Sequence, residues 1–429
     1  MIITKVTPKS AEIERICGRE VAPSKEIHDK VMQILADIKK GGIAKATEYA
    51  QKFDGLKGKN IRVPASAIAK SAAKCPKELQ KALKQAIKNV RDFHKNQMEE
   101  SWLMEGADGV VLGQRIRPMK RVGLYVPGGA GIYPSTVIMN AVPALVAGVQ
   151  DIVVVTPIKG EINRAVAFVL QELGIEEVYH IGGAQAIGLL AYGAKDAKGK
   201  TVVERVDKIV GPGNVFAAIA KKEVFGVVDI DMVAGPSEVL VMADNTCDPD
   251  FVAADLLSQA EHGSGFEAAI CITDNMETAQ MISACVDIQV ENSPKKELLE
   301  KVLGNFGRIL VVKDWFDGVE IANRIAPEHL EVMTAEAESM AAQIENAGAV
   351  FIGPWSSEPV GDYFAGPNHV LPTNGTGRFF SPLGVYDFLK RMSIIRYSEK
   401  AIKKNAKAIA AVATEEGFIH HAAAVLKRL

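Results

Sequence analysis

From about residue 109 onward, short runs rich in β-branched residues alternate with stretches one helix long, and this pattern constrains the fold more than any other. The runs VGLYVP (122–127), DIVVVTP (151–157), EVYHIG (177–182) and VDKIVG (206–211) are separated by TVIMNAVPALVAG, NRAVAFVLQELG and AQAIGLLAYG. Parallel strands need a crossover about as long as a helix, so this spacing predicts βαβ units around a parallel sheet. VVV and ILVV are apolar without alternation, as strands covered on both faces must be. A second series begins near Ser237 with EVLVMA, a helix over 249–262, AAICIT, RILVV and AVFIG. The expected class is α/β with two parallel-sheet halves.

The flanks read differently. Residues 25–100 carry helical periodicity, with Ile27, Val31, Ile34 and Ile38 on one stripe and Gly41-Gly42 as its end or turn. Pro76 opens a second amphipathic helix whose lysines read as a solvated face. A Gly- and Pro-rich stretch after Asp362 reads as an ordered loop, and 399–427 reads as helix again. A length of 429 residues suggests two or three domains. Fifty basic residues against 52 acidic ones give a formal charge of -2, which argues against a nucleic-acid or polybasic membrane partner. The five cysteines, Cys17, Cys75, Cys247, Cys271 and Cys285, are irregularly spaced without a C-x-x-C pair, so neither a disulfide framework nor a cysteine zinc cluster is expected. MIITKVTPKS does not read as a signal peptide, and no run of 18 apolar residues occurs. A soluble cytoplasmic enzyme is the expectation.

No dinucleotide fingerprint is present. GGAGIY (128–133) and GPGNVF (211–216) both miss G-x-G-x-x-G, and no phosphate-binding P-loop exists. Glycine-rich strand ends still suit ligand loops at the carboxyl edge of a parallel sheet, or plain turns. Gln259-x-x-His262 lies near the end of a helix that Asp248 and Pro249 should start and Gly263 should stop. That spacing puts two lone-pair donors one turn apart, suited to a shared metal or to a surface polar pair. Glu328-His329 after Pro327 is an acid–base pair if a strand end lets adjacent residues share a site; otherwise the two are a solvated carboxylate and a half-buried imidazole. Asp362 and His369 lie in the turn-rich segment, and Glu416 precedes His420-His421. One histidine from the helix, one from the tail, a Gln and an Asp make an N2O2 set suited to zinc or manganese. H-E-x-x-H and G-x-S-x-G are absent.

The motifs together resemble the histidinol dehydrogenase family. The matching stretches are GLYVPGG (123–129), HIGGAQAIGLLAYG (180–193), VDKIVGPGN (206–214) and DMVAGPSEVLV (231–241). DLLSQAEHG (255–263), ANRIAPEHLEVMT (322–334), VGDYFAGPNHVLPT (360–373) and DFLKRMS (387–393) continue them, so the likeness runs from about residue 25 to the C-terminus. The resemblance implies two Rossmann-like parallel-sheet domains lacking the usual fingerprint, with helical extensions at both ends. The expected division is an extension at 1–24, a discontinuous first α/β domain of 25–124 plus 239–383, a second at 125–238, and a helical tail at 384–429. It implies one zinc per subunit on Gln259, His262, Asp362 and His421, the last chosen over His420 because it follows Glu416 by five residues. Substrate contacts implied are Ser237, Glu328, Tyr363, His369, Glu416 and the metal residues; NAD contacts are Tyr125, Gln185 and Asn214. The implied reaction takes L-histidinol and two NAD to L-histidine in the last step of histidine biosynthesis. His329 would serve as base for the alcohol step, with an ordinary imidazole pKa, and Glu328 would activate water for the aldehyde step. Glu416 and His421 would act across a homodimer. GSGFEA after His262, Gly41-Gly42 and His420-His421-Ala-Ala-Ala depart from the family's usual pattern.

Overall fold

The computed structural model describes residues 1–19, 24–128, 133–263 and 265–429. Most of GGAGIY, the last glycine of GLYVPGG and one serine of the GSGFEA loop lie outside the described residues. Two all-parallel sheets form the frame. The five-stranded sheet has the order Asp229–Ile230, Lys208–Val210, Arg121–Tyr125, Asp151–Thr156, Glu177–His180. The six-stranded sheet runs Ile2–Lys5, Gly307–Val311, Ala268–Thr273, Glu238–Ala243, His329–Met333, Ala349–Ile352. All residues of the Glu238–Ala243, Ala268–Thr273 and His329–Met333 strands are buried, which explains their unbroken apolar runs. The α/β class stands.

The helices of 25–124 do not pack as the expected domain division has it. Val31, Ile34, Leu35 and Ile38 share a core with Tyr125, Ile187, Leu190 and Ile209 of the five-stranded half. Ile68, Leu83, Ile87 and Val90 share another with Val137, Met139, Val142 and Phe168. The buried faces of these helices are thus covered mainly by 125–238, while Val370 and Leu383 share the second core and Asn89 donates to the Phe364 carbonyl. The strand Arg121–Tyr125 also straddles the expected boundary at 124. An apolar stripe dictates burial, about 1.5–3 kcal/mol for each large side chain, without specifying the surface that covers it.

The ends differ from expectation as well. Ile2–Lys5 is an edge strand paired with Gly307–Val311, and Ile13 and Ile16 pack on Ile321, Ala322 and Ile325. The tail begins with a strand, Leu389–Arg396, antiparallel to Val111–Pro118, which also pairs Trp102–Glu105. All four residues of Trp102–Glu105 are exposed, so they carry no alternation from which a strand could be read. Helices Glu399–Glu415 and Ile419–Leu426 follow.

Gly42 breaks the Lys25–Phe53 helix at φ 53°, ψ -137°, a conformation that L side chains avoid. A Cβ there would sit 2.6 Å from the carbonyl oxygen of Lys195. Gly42→Ala is therefore expected to destabilise the fold by about 2–4 kcal/mol, read as a lower urea midpoint at unchanged slope. A loss under about 0.5 kcal/mol would show that the break relaxes.

Candidate active site

The geometry is built on one backbone unit. The N–H of Glu238 donates to Glu328 Oε2 at 2.9 Å, and its carbonyl takes the Nδ1–H of His329 at 2.9 Å. Glu238 begins a central strand, and His329 begins its parallel neighbour with Glu328 just before it, so adjacent residues share a site at a strand end. The turn into that strand passes through Ala326 in the left-handed region, φ 47°, one of three described non-glycine residues with positive φ. A carbonyl only accepts, so Nδ1 carries the proton and the neutral ring keeps its lone pair on Nε2. Nε2 is buried without a hydrogen-bond partner, at ion-pair distance, 3.4 Å, from Asp362 Oδ1.

Electrostatics at this pair correct one expectation. Burial pushes the Glu328 carboxyl up to about 8, against the opposing charge of His329 and the Glu238 N–H. Burial also pushes His329 down, but the charges of Glu328 and Asp362 outweigh it and lift the imidazole to about 10. The ordinary value near 6.5 expected for His329 does not hold, because the Glu328 carboxylate beside it and then Asp362, from a distant turn, favour the charged ring.

Gln259 lies in the last turn of the Pro249–Ala260 helix, which Asp248 caps as expected. Its side chain is fully buried, and neither amide atom has a partner. A buried amide with both polar atoms unmet is costly, and a bound ligand would relieve that cost. The helix stops at Ala260, so His262 is not on its face but in the exposed turn before Gly263. Burial pushes the Asp362 carboxyl up, but His329, His369 and His262 together hold it below the usual range. His369 Nδ1 donates to the Asp362 carbonyl at 3.1 Å. His329, Glu358 and Asp362 each present a ligand atom within 4.8 Å of the other two. Imidazole, carboxylate and amide oxygen are donors that zinc accepts, so these residues fit such an ion.

A cavity of about 620 Å³ opens at the carboxyl edge of the five-stranded sheet. Tyr125, Gln185 and Asn214 all line it, with Ile34, Phe53 and Phe216. The sheet's order reverses between Arg121–Tyr125 and Lys208–Val210, and Tyr125 and Asn214 flank that switch point, where open α/β sheets take ligands. The Tyr125 hydroxyl accepts from Gly183 N–H at 3.0 Å, and Asn214 caps the Val215–Val224 helix.

A family model described as histidinol dehydrogenase matches residues 18–429. The chain belongs to the histidinol dehydrogenase family. It is 46% identical to the histidinol dehydrogenase of Geobacillus kaustophilus, covering 97% of this chain and 99% of that one. The Bacillus subtilis enzyme of the same name is 45% identical over 95% and 94% of the two chains. The crystal structure of histidinol dehydrogenase from Elizabethkingia anophelis superposes with a TM-score of 0.92 at 35% identity, covering 100% of this chain and 98% of that one. The chain is thus an oxidoreductase of histidine biosynthesis. No described helix is long and apolar enough to cross a membrane.

Not every residue that the family likeness names meets within one chain. Ser237 stands directly before Glu238, and Tyr363 follows Asp362 with its side chain exposed. Glu416 and His421 are exposed, and among the described residues neither has a hydrogen bond or ion pair to Gln259, Glu328, His329 or Asp362. His421 instead packs on the Phe418 ring, centroids 5.0 Å apart.

Sequence reasoning missed a buried carboxylate group behind this histidinol dehydrogenase site. Ser258 donates to Glu358 Oε2 at 2.6 Å, and Glu358 N–H donates to Glu331 Oε1 at 2.7 Å. Burial lifts Asp255, Glu331 and Glu358 together; Glu331 rises furthest and, still protonated, donates a hydrogen bond to the Asp255 carboxylate. The signal was Glu331 itself, a charge inside the apolar run HLEVM. Asp255 rises from 3.8 to about 6, so the folded chain holds a proton that the unfolded chain has released between about pH 4 and 6. Stability from this group is therefore lost as pH rises through that window. Asp255→Asn should gain about 2 kcal/mol relative to the unmutated chain between pH 4 and 7, seen in urea midpoints. Parallel stability curves would refute the shared proton.

Proposed function

We propose that the chain oxidises L-histidinol through L-histidinal to L-histidine, the last step of histidine biosynthesis, with NAD and one zinc ion per subunit. The observation that carries this reading is the Glu238 backbone unit, which holds Glu328 and His329 at once beside the partnerless amide of Gln259. Gln259, His262 and Asp362 would hold zinc, with His421. Bound zinc supplies a Lewis-acid anchor for the substrate's imidazole and amine and no redox chemistry. Tyr125, Gln185 and Asn214 would hold NAD, which would supply the hydride acceptor for each oxidation.

The residues divide the proton work. His329 takes the hydroxyl proton on Nε2 as the alcohol becomes an aldehyde. Glu328 and then Asp362 hold the proton on its imidazole, so engaging the Asp362 charge with a ligand shifts the ring toward the neutral form. Glu328 then takes a proton from the water that adds to the aldehyde and supplies the second carboxylate oxygen. Ser237, Tyr363, His369 and Glu416 contact the substrate.

The exposed tail supports a homodimer in which Glu416 and His421 complete the partner's site. Val412, Phe418 and Ile419 on it are 63%, 53% and 73% exposed, apolar surface suited to cover by a second copy. The cytoplasm is the proposed location. The reading is tested by counting the NADH formed from each L-histidinol consumed.

A further inference from the structure

We infer that Asp54 selects NAD over NADP, by accepting from a ribose hydroxyl and by turning away a 2′-phosphate. The inference rests on the cofactor reading above. Asp54 follows the Lys25–Phe53 helix, and its carbonyl accepts from His180 Nε2 at 2.9 Å. Its side chain lines the 620 Å³ cavity, whose walls are mostly apolar and aromatic, with Lys159 as a second charged residue.

A helix N-terminus at the carboxyl edge of a parallel sheet ordinarily offers its free N–H groups to a phosphate. At the Gly183–Tyr192 helix the first two of these positions, Gly182 and Gly183, are already taken. Gly182 N–H donates to Asp54 Oδ2 at 3.0 Å, and Gly183 N–H donates to the Tyr125 hydroxyl at 3.0 Å. Gln185 Nε2 adds a bond to the same Oδ2 at 3.1 Å. That helix end therefore presents a carboxylate to the cavity, with Oδ1 unpartnered among the described residues. A carboxylate accepts and does not donate, so it matches the hydroxyls of a ribose diol. A 2′-phosphate has only acceptors to offer at neutral pH and brings a like charge.

Titration calorimetry with NAD and with NADP, on the unmutated protein and on Asp54→Asn, tests this without turnover. The ratio of NADP to NAD dissociation constants should fall about tenfold or more in Asp54→Asn, while Asp54→Glu keeps the rejection. An unchanged ratio, or equal weakening of both dinucleotides, would make Asp54 only a brace for Gln185 and overturn the assignment. Should Asp54→Asn not fold, Asp54→Ser retains an acceptor for Gly182 and is judged by the same ratio. Failure of the unmutated protein to bind either dinucleotide would overturn the cofactor reading and this assignment together.

Discussion

Glu328→Gln is expected to slow oxidation of supplied L-histidinal by about 10²–10⁴-fold, the usual worth of a placed acid–base group. Gln keeps the shape and can still accept from the Glu238 N–H, so the loss reports chemistry and not misfolding. Oxidation of histidinol to the aldehyde should suffer less, because His329 is the base for that step. A pH signature accompanies the rate. The Glu328 carboxyl is pushed up to about 8, and only its ionised form can take a proton. The aldehyde step should therefore accelerate as pH rises toward about 8, and Glu328→Gln should lose that limb. His329→Asn should slow the alcohol step in its own right. Single-turnover rates on histidinol and on histidinal, measured for each variant, separate the roles. Equal slowing of both steps by Glu328→Gln would show that the pair acts as one unit.

Stripping metal with a chelator should abolish turnover, and zinc or manganese should restore it. Gln259→Ala removes the buried amide whose two polar atoms have no protein partner, and it should cost at least about tenfold in metal affinity. The tail gives a sharper comparison. His420 and His421 are both exposed in the single chain, so burial does not distinguish them. His421→Asn should weaken metal binding far more than His420→Asn, and equal effects would cancel the assignment. If His421 acts across the dimer, mixing inactive Glu328→Gln subunits with inactive His421→Ala subunits should regenerate activity in some sites. No return of activity after verified reassociation would place His421 outside the partner's site.

How far the sequence reached depends on the range of the interaction concerned. Strand–helix alternation and the Asp248-Pro249 helix start are local, and the structure places them as read. The packing of residues 25–124 was not legible, since periodicity identifies the buried face of a helix but not the surface it meets. The helix end before His262 fell two residues early, which took that histidine off the face of Gln259. Long-range partners were invisible. Glu238 holds His329 from 91 residues away, and Asp54 meets Gln185 across 131. The raised pKa of His329 comes first from its neighbour Glu328 and then from Asp362, which only the fold brings within 3.4 Å.

The most direct test of the central claim is the number of NADH formed for each L-histidinol consumed to completion. Alcohol to carboxylate is a four-electron oxidation, and each NAD accepts two electrons. The account predicts two NADH per histidinol, with L-histidine as the product and no free aldehyde accumulating. One NADH per histidinol with histidinal released, or no reduction of NAD at all, would contradict it.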